Sequence, residues 1–394
     1  MNAQDVSRTR LFWGACAGMF VFGIVLAILG ALFGLPEMRE RLQIDLARQG
    51  DVFLFLFFGV FLSTIVVGPM IDSFGNKLVL TLSAALVGIA LVVFSTAHAF
   101  VPAIAAALLL GIGGGGLNTS TNALVADLYS DNRGAMLNIL GMFFGVGALF
   151  IPLLAASITG LFTITQLFLI AAALSAICTI WYLVLVFPPP TAPIGFSLLA
   201  SIKAAATPGV LLFAILLFFQ SGNEASIGGW TSTYAGSVGA PPNTATWILA
   251  AYWGALMVGR LAGAKLLEKV AKARLVFASA IGSAMGCAIM LASTSISVLA
   301  LGAIIVGFSF AAIYPTVLAM AADRYQRLAG TIFGFLFAVG LIGGMAFPWG
   351  IGHISQNYGV RSGMVLPLIG SVAISILVTI ISAREKSAVT AATA

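Results

Sequence analysis

Twelve acidic residues are spread along this chain, and eleven of them fall in tails, in loops or at the ends of apolar runs; Glu224 alone stands well inside one. Its surroundings read Phe219-Gln220-Ser221-Gly222-Asn223-Glu224-Ala225-Ser226-Ile227-Gly228-Gly229-Trp230. A carboxylate at that depth in lipid costs on the order of 3 kcal/mol unless it faces a polar cavity or is protonated, so its expected work is binding a substrate, a proton or a cation. The structural alternative is a glutamate hydrogen-bonded to a neighbouring helix. Gln220, four residues earlier, shares the Glu224 face of a helix, with Asn223 beside it and Trp230 and Tyr234 further along. Gly222, Gly228 and Gly229 loosen that helix and allow bending or close packing.

A second polar pair, Asn118 and Asn122, follows the glycine run Gly111 to Gly116 at i and i+4. Two neutral amides on one face can donate to and accept from hydroxyl groups, although they can equally bond between helices. The glycines lack the lysine and the strand of a phosphate loop and suit close helix packing instead. Asn138, Trp253, Tyr314 and Trp349 add polar and aromatic surface within other apolar runs. Amides beside aromatic faces suit a sugar or another amphipathic solute. Cys16, Cys178 and Cys287 are far apart, His98 and His353 lie near segment ends, and no nucleophile–base pair stands out, so neither catalysis, a metal nor a cofactor is expected.

Lipid must be the solvent of the elements that hold these residues. Of 394 residues 61% are hydrophobic and 8% charged, against about 25% charged in a soluble domain. Apolar stretches of about 20 residues recur throughout, the length that crosses a bilayer as a helix. The spans are expected at 11–35, 52–71, 78–96, 101–127, 135–158, 163–187, 209–238, 244–267, 274–293, 297–321, 330–352 and 364–383. Twelve spans put both termini on one side. That side receives fourteen of the eighteen Lys and Arg residues, and the other receives Arg39, Arg41, Arg48 and Arg361. The asymmetry predicts cytoplasmic termini and explains the net charge of +6 without nucleic acid.

Near the middle, Pro188-Pro189-Pro190, Pro193, Lys203 and Pro208 form the one stretch of linker character. An offset of 196 residues then aligns Gly111 with Gly307, Asp127 with Asp323, Tyr129 with Tyr325, Gly134 with Gly330, Gly147 with Gly343 and Pro152 with Pro348. The expected fold is therefore an all-α membrane protein of twelve transmembrane helices in two pseudo-symmetric halves, 1–187 and 209–394, joined by a cytoplasmic linker at 188–208. Internal repeats of this kind mark transporters whose site lies between the halves near the midplane.

The loop Gly68-Pro69-Met70-Ile71-Asp72-Ser73-Phe74-Gly75-Asn76-Lys77 resembles the cytoplasmic motif of the major facilitator superfamily, and Gly259-Arg260 to Gly263 is similar to its degenerate second copy. Ser73 stands where that family usually has a basic residue. The resemblance implies gating roles for Gly68, Asp72, Gly75, Arg133 and Arg260, with Asp72 capping a helix on the cytoplasmic face to hold the inward gate shut. Asn118-x-x-x-Asn122, Arg133 through Leu137-Asn138 to Ala148, and Tyr314-Pro315-Thr316 with Gly343-Gly344 and Pro348 resemble the fucose–proton symporters. Glu224 to Trp230 and Tyr234 is similar to the sodium-dependent glucose transporter-like branch of that family.

What this resemblance implies is uptake of a monosaccharide driven by a proton or sodium gradient, by a monomer in a bacterial inner (plasma) membrane. The fucose symporters carry acids in their first and fourth helices, where this chain has none in the first and Asn118 in the fourth; either Glu224 couples the ion or transport is uncoupled. Asn118, Asn122 and Gln220 are expected to bind sugar hydroxyls, and Asn138, Asn223, Trp230, Trp253, Tyr314 and Trp349 to complete the lining. An exporter of drugs or amphipathic metabolites, with Glu224 recognising a cation, and a lipid flippase are the rival expectations.

Overall fold

The structure is a computed structural model that describes residues 3–157, 162–189, 207–325 and 329–393, with side chains of 8–384 except 329–331. The helices are α1 (Ala3–Leu32), α2 (Pro36–Leu42), α3 (Leu46–Thr96), α4 (Phe100–Leu128), α5 (Arg133–Ser157), α6 (Ile164–Val184), α7 (Pro208–Ser237), α8 (Pro242–Leu266), α9 (Lys272–Ala292), α10 (Ile296–Arg324), α11 (Ala329–Tyr358), α12 (Val360–Gly363) and α13 (Val365–Thr393). Among the described residues eleven stretches are long and apolar enough to cross a membrane. One of them, α3, has 51 residues and would run about 77 Å if straight, far more than one crossing needs. It reverses at Gly75 (φ 80°, ψ 162°), a backbone conformation open to glycine and strained for other residues. Counted as two limbs, α3 brings the spans to twelve.

The expected spans 52–71 and 78–96 are thus both present, but no open loop separates them. Most of the expected linker, residues 190–206 with Lys203, lies outside the described residues.

The first six spans and the last six pack in the same way. Helix α1 lies on α5, and α7 on α11; the first limb of α3 lies on α4, and α8 on α10. Equivalent glycine contacts recur in both halves. A Cβ on Gly147 would strike the Phe20 carbonyl and one on Gly343 the Phe218 carbonyl; one on Gly111 would strike the Leu56 carbonyl and one on Gly307 that of Tyr252. Lipid gives helices no hydrophobic reason to associate, so backbones approaching over glycine, with dense van der Waals contact, hold each half together.

The two halves meet through α3 on α11, α5 on α8 and α1 on α7. Their polar contacts gather at the side remote from the termini. Gln49 Nε2 donates to Thr233 Oγ1 at 3.1 Å, Thr233 donates on to the Phe33 carbonyl at 3.3 Å, and the Leu46 N–H donates to Gln356 Oε1 at 3.1 Å. Asp51 and His353 face each other at 3.9 Å. Beneath this layer Phe33, Phe53 and Trp230 form a fully buried aromatic plug, with centroids 5.8 and 6.1 Å apart.

Helix α2 was not among the expected elements. Pro36 starts it, and Arg41 uses it as a platform, donating to the Ala97 carbonyl and to Thr165 Oγ1 at 3.0 Å each, and also to the Phe94 and Ser95 carbonyls. Arg41 thereby adds donors to the carbonyls at the end of α3, where Phe94 also accepts from the Ala97 N–H and Ser95 from Thr165 Oγ1.

Candidate functional site

Helix α7 starts with Pro208 at its first turn, where the missing N–H is harmless, and runs unbroken past mid-depth. Glu224 lies about 24 Å along it. Arg260, on α8, points at it: Nη2 is 4.0 Å from Glu224 Oε1, with the two side chains 29% and 22% exposed. The same guanidinium crosses to the first half. Its Nη1 lies 3.5 Å from the Gly141 carbonyl of α5, and its carbon stands 5.4 Å from the Phe144 ring centre.

Other groups complete the shell. Gln220 is fully buried, lies one turn before Glu224 on α7, and points Nε2 at the Phe310 carbonyl of α10 at 3.5 Å. Tyr252 and Tyr314 lie within electrostatic reach of the Glu224 carboxylate. Trp253 packs edge-on to Phe144 at 6.1 Å and covers Gly228. Four buried polar atoms here have no hydrogen-bond partner among the described residues: Gln220 Oε1, Tyr252 Oη, Trp253 Nε1 and Arg260 Nε. The aromatic plug closes this cluster from the far side, so the partial exposure of Glu224 and Arg260 opens toward the side of the termini. There, Gly68 and Gly134 have open space around them.

The structure therefore brings Glu224, Gln220, Trp253 and Tyr314 together with Arg260. Arg260 was expected as a gate residue at the cytoplasmic loop; its side chain instead joins α7, α8 and α5. Trp230 sits above the cluster in the plug. Asn118 and Asn122 find each other, Asn122 Nδ2 donating to the Asn118 carbonyl at 2.8 Å and to its Oδ1 at 3.1 Å. Asn138 is exposed on α5, one turn from Gly141.

Two expected lining residues point elsewhere. Asn223 is buried against α13, donating to Ser371 Oγ at 3.3 Å, and Trp349 lies tilted against His353, ring centroids 4.5 Å apart, near the far side. Among the gate residues, Arg133 Nε donates to the Ala126 carbonyl at 3.3 Å, while the half-exposed Asp72 has no hydrogen bond or ion pair among the described residues and caps no helix here. Sequence reasoning missed Phe144, Gly141 and Tyr252 as members of the cluster. The available signal was a basic residue inside the 244–267 span, next in sequence to the span that holds the lone acid.

The family model for the Major Facilitator Superfamily matches residues 15–348 and 213–394. Among solved structures, the nucleoside transporter NupG is 16% identical with a TM-score of 0.77, covering 95% of this chain and 99% of its own. A D-xylose-proton symporter is 12% identical with a TM-score of 0.79, and a bacterial homolog to the human lysosomal transporter Spinster, inward-facing and occupied, is 15% identical with a TM-score of 0.81. Each of these two covers 95% of this chain and 97% of its own. At these identities the likeness is one of fold. A search of curated sequences gives no match.

Proposed function

The chain belongs to the Major Facilitator Superfamily, and from that premise we propose that it is a secondary active transporter of a small polar solute, a monosaccharide or a close derivative, coupled to a proton or sodium ion through Glu224. The observation that carries this reading is the Glu224–Arg260 pair at the junction of the two halves. Within the second half Arg260 answers the carboxylate, and across the junction it reaches the Gly141 carbonyl and the Phe144 ring. A proton or cation on Glu224 removes its claim on Arg260 and so changes the strength of the contact between halves. A ligand shifts a conformational equilibrium only by binding its two states differently, and this pair provides such a difference.

Several finer statements belong to the same proposal. The side of the termini is cytoplasmic, the membrane is a bacterial inner membrane, the working unit is a monomer, and 1–187 rocks against 209–394 about the linker 188–208. Asn118, Asn122 and Gln220 meet hydroxyl groups of the solute. The crystal structures of a sugar–proton symporter and a nucleoside transporter on the same fold agree with a polar, hydroxyl-bearing cargo. Export of a cationic compound is the weaker reading, because Glu224 already has a guanidinium beside it.

The test is uptake of labelled hexoses, pentoses and their derivatives into proteoliposomes, with proton and sodium gradients imposed separately. Wild type is expected to accumulate one solute under one gradient. Glu224→Gln is expected to lose accumulation while still exchanging solute for solute across the membrane. Undiminished accumulation by the variant would remove Glu224 from the coupling mechanism.

A further inference from the structure

We infer that Arg260 is the receptor for a carboxylate on the transported solute, so that the cargo class is a sugar acid or hydroxy acid rather than a neutral sugar. This rests on the transporter reading above and narrows it.

The inference starts from an arginine short of acceptors. A guanidinium carries five N–H donors, and charge-assisted bonds to a carboxylate ordinarily close to about 2.7–2.9 Å. Arg260 has Glu224 Oε1 at 4.0 Å, the Gly141 carbonyl at 3.5 Å and nothing on Nε, which is buried. Phe144 lies against the guanidinium and holds it in place without consuming any donor. A donor that burial cuts off from water, as at Nε, is costly when left unmatched, and a neutral hexose would not supply the planar, two-oxygen acceptor that a guanidinium fork fits. A carboxylate would.

The atoms around the fork suit the rest of such a molecule. Trp253 Nε1 is an unused donor, Gln220 Oε1 an unused acceptor, and Tyr252 Oη can be either, all three in fully or almost fully buried side chains. Hydroxyl groups adjoining a carboxylate would satisfy them.

Charge explains why such cargo would travel with a proton. Glu224 and the solute compete for one cation: with both ionised, the site holds two negative charges against one positive. Adding a proton to Glu224 leaves one solute anion on Arg260 and no net charge. Among the described residues, Arg260, Tyr252 and Tyr314 are the titratable groups that face Glu224 from the neighbouring helices, and of these only Arg260 is cationic.

The experiment is solute exchange by the full-length protein in proteoliposomes, comparing glucuronate and gluconate, lactate, and neutral glucose. We expect the carboxylates to exchange and glucose to compete at least tenfold more weakly. The sugar acids against lactate then distinguish whether hydroxyls beyond the first are read. Arg260→Lys keeps the charge but loses the fork and is expected to raise the half-saturation concentration for the acid at least tenfold. Glu224→Gln removes the competing carboxylate and is expected to lower it about tenfold at pH 7.5 and to flatten its pH dependence. Because the two variants move in opposite directions, a general loss of folding cannot imitate the result.

Exchange of glucose with no competition from any acid would overturn the inference while leaving a polar-solute transporter standing. Acid exchange that is unchanged in Arg260→Lys and in Glu224→Gln would overturn it as well. Exchange of neither class would remove the transporter reading itself, and the inference with it.

Discussion

At the scale of single residues, a buried polar group that serves binding differs from one that serves folding in what its removal does. Gln220 is fully buried with Oε1 unmatched, and its Nε2 bond to the Phe310 carbonyl is long at 3.5 Å. Leucine has nearly its shape and no unmet polar atom, and exchanging an unsatisfied polar group for an apolar one can be neutral or stabilising. Gln220→Leu is therefore expected to leave the thermal midpoint of the purified protein unchanged or slightly higher, while raising the half-saturation concentration for transport about fivefold or more. A lower midpoint with intact transport would make Gln220 a structural residue. The i, i+4 relation of Gln220 and Glu224 was legible in the sequence because both lie on one helix face. Asn223 misled for the same reason in reverse: one residue turns the helix by about 100°, which sends its amide to Ser371 on α13. Arg260 was visible as a residue but not as a partner, since nothing in the 35 residues between it and Glu224 states how α7 lies on α8.

At the scale of elements, the glycines that make the repeat legible also set the helix spacing. Gly147 lies over the Phe20 carbonyl of α1 and Gly343 over the Phe218 carbonyl of α7, with no room for a Cβ at either. Forcing bulk into such a contact costs typically 1–3 kcal/mol. Gly147→Val and Gly343→Val should each lower the thermal midpoint and the yield of monodisperse protein. Val at Gly134, where a Cβ meets nothing within 4 Å, should do neither. Equal behaviour of all three would mean that glycine at these crossings is not what limits packing. Span positions were readable because lipid demands about 20 apolar residues for each crossing. Helix α2 was not, since its seven residues carry four charges and no crossing pattern, and its purpose emerges only when Arg41 meets the end of α3, more than fifty residues away. The reversal at Gly75 read as a loop because its polar residues resemble one; in the structure they continue helical on either side of a single residue with positive φ.

At the scale of the whole molecule, the polar contacts between the halves among the described residues gather in the far-side layer, with Arg260 to the Gly141 carbonyl the exception, and a transporter must be able to unfasten them. The far-side layer is thin: Gln49 to Thr233 to Phe33, Leu46 to Gln356 and Asp51 to His353, above a plug of three aromatic side chains. Opening it would expose that plug, a cost that closing the opposite side must offset if both states are to be populated. Asp51 and His353 approach to 3.9 Å across the junction, at positions 26% and 41% exposed, so cysteines placed there are open to a short bifunctional thiol reagent. The native Cys16, Cys178 and Cys287 are buried and form no disulfide, which shields them from the same reagent. Bridging Asp51→Cys to His353→Cys should abolish transport in proteoliposomes, and a cleavable bridge should restore it on reduction. Solute binding to the bridged protein in detergent should survive, because Glu224 and Arg260 face the other side. Single-cysteine variants treated identically should transport normally. If the bridged protein still carries solute across the membrane, the far-side layer is a fixed seam, and the moving contact between the halves must lie elsewhere, with the α5–α8 junction at Gly141 and Arg260 the next place to bridge.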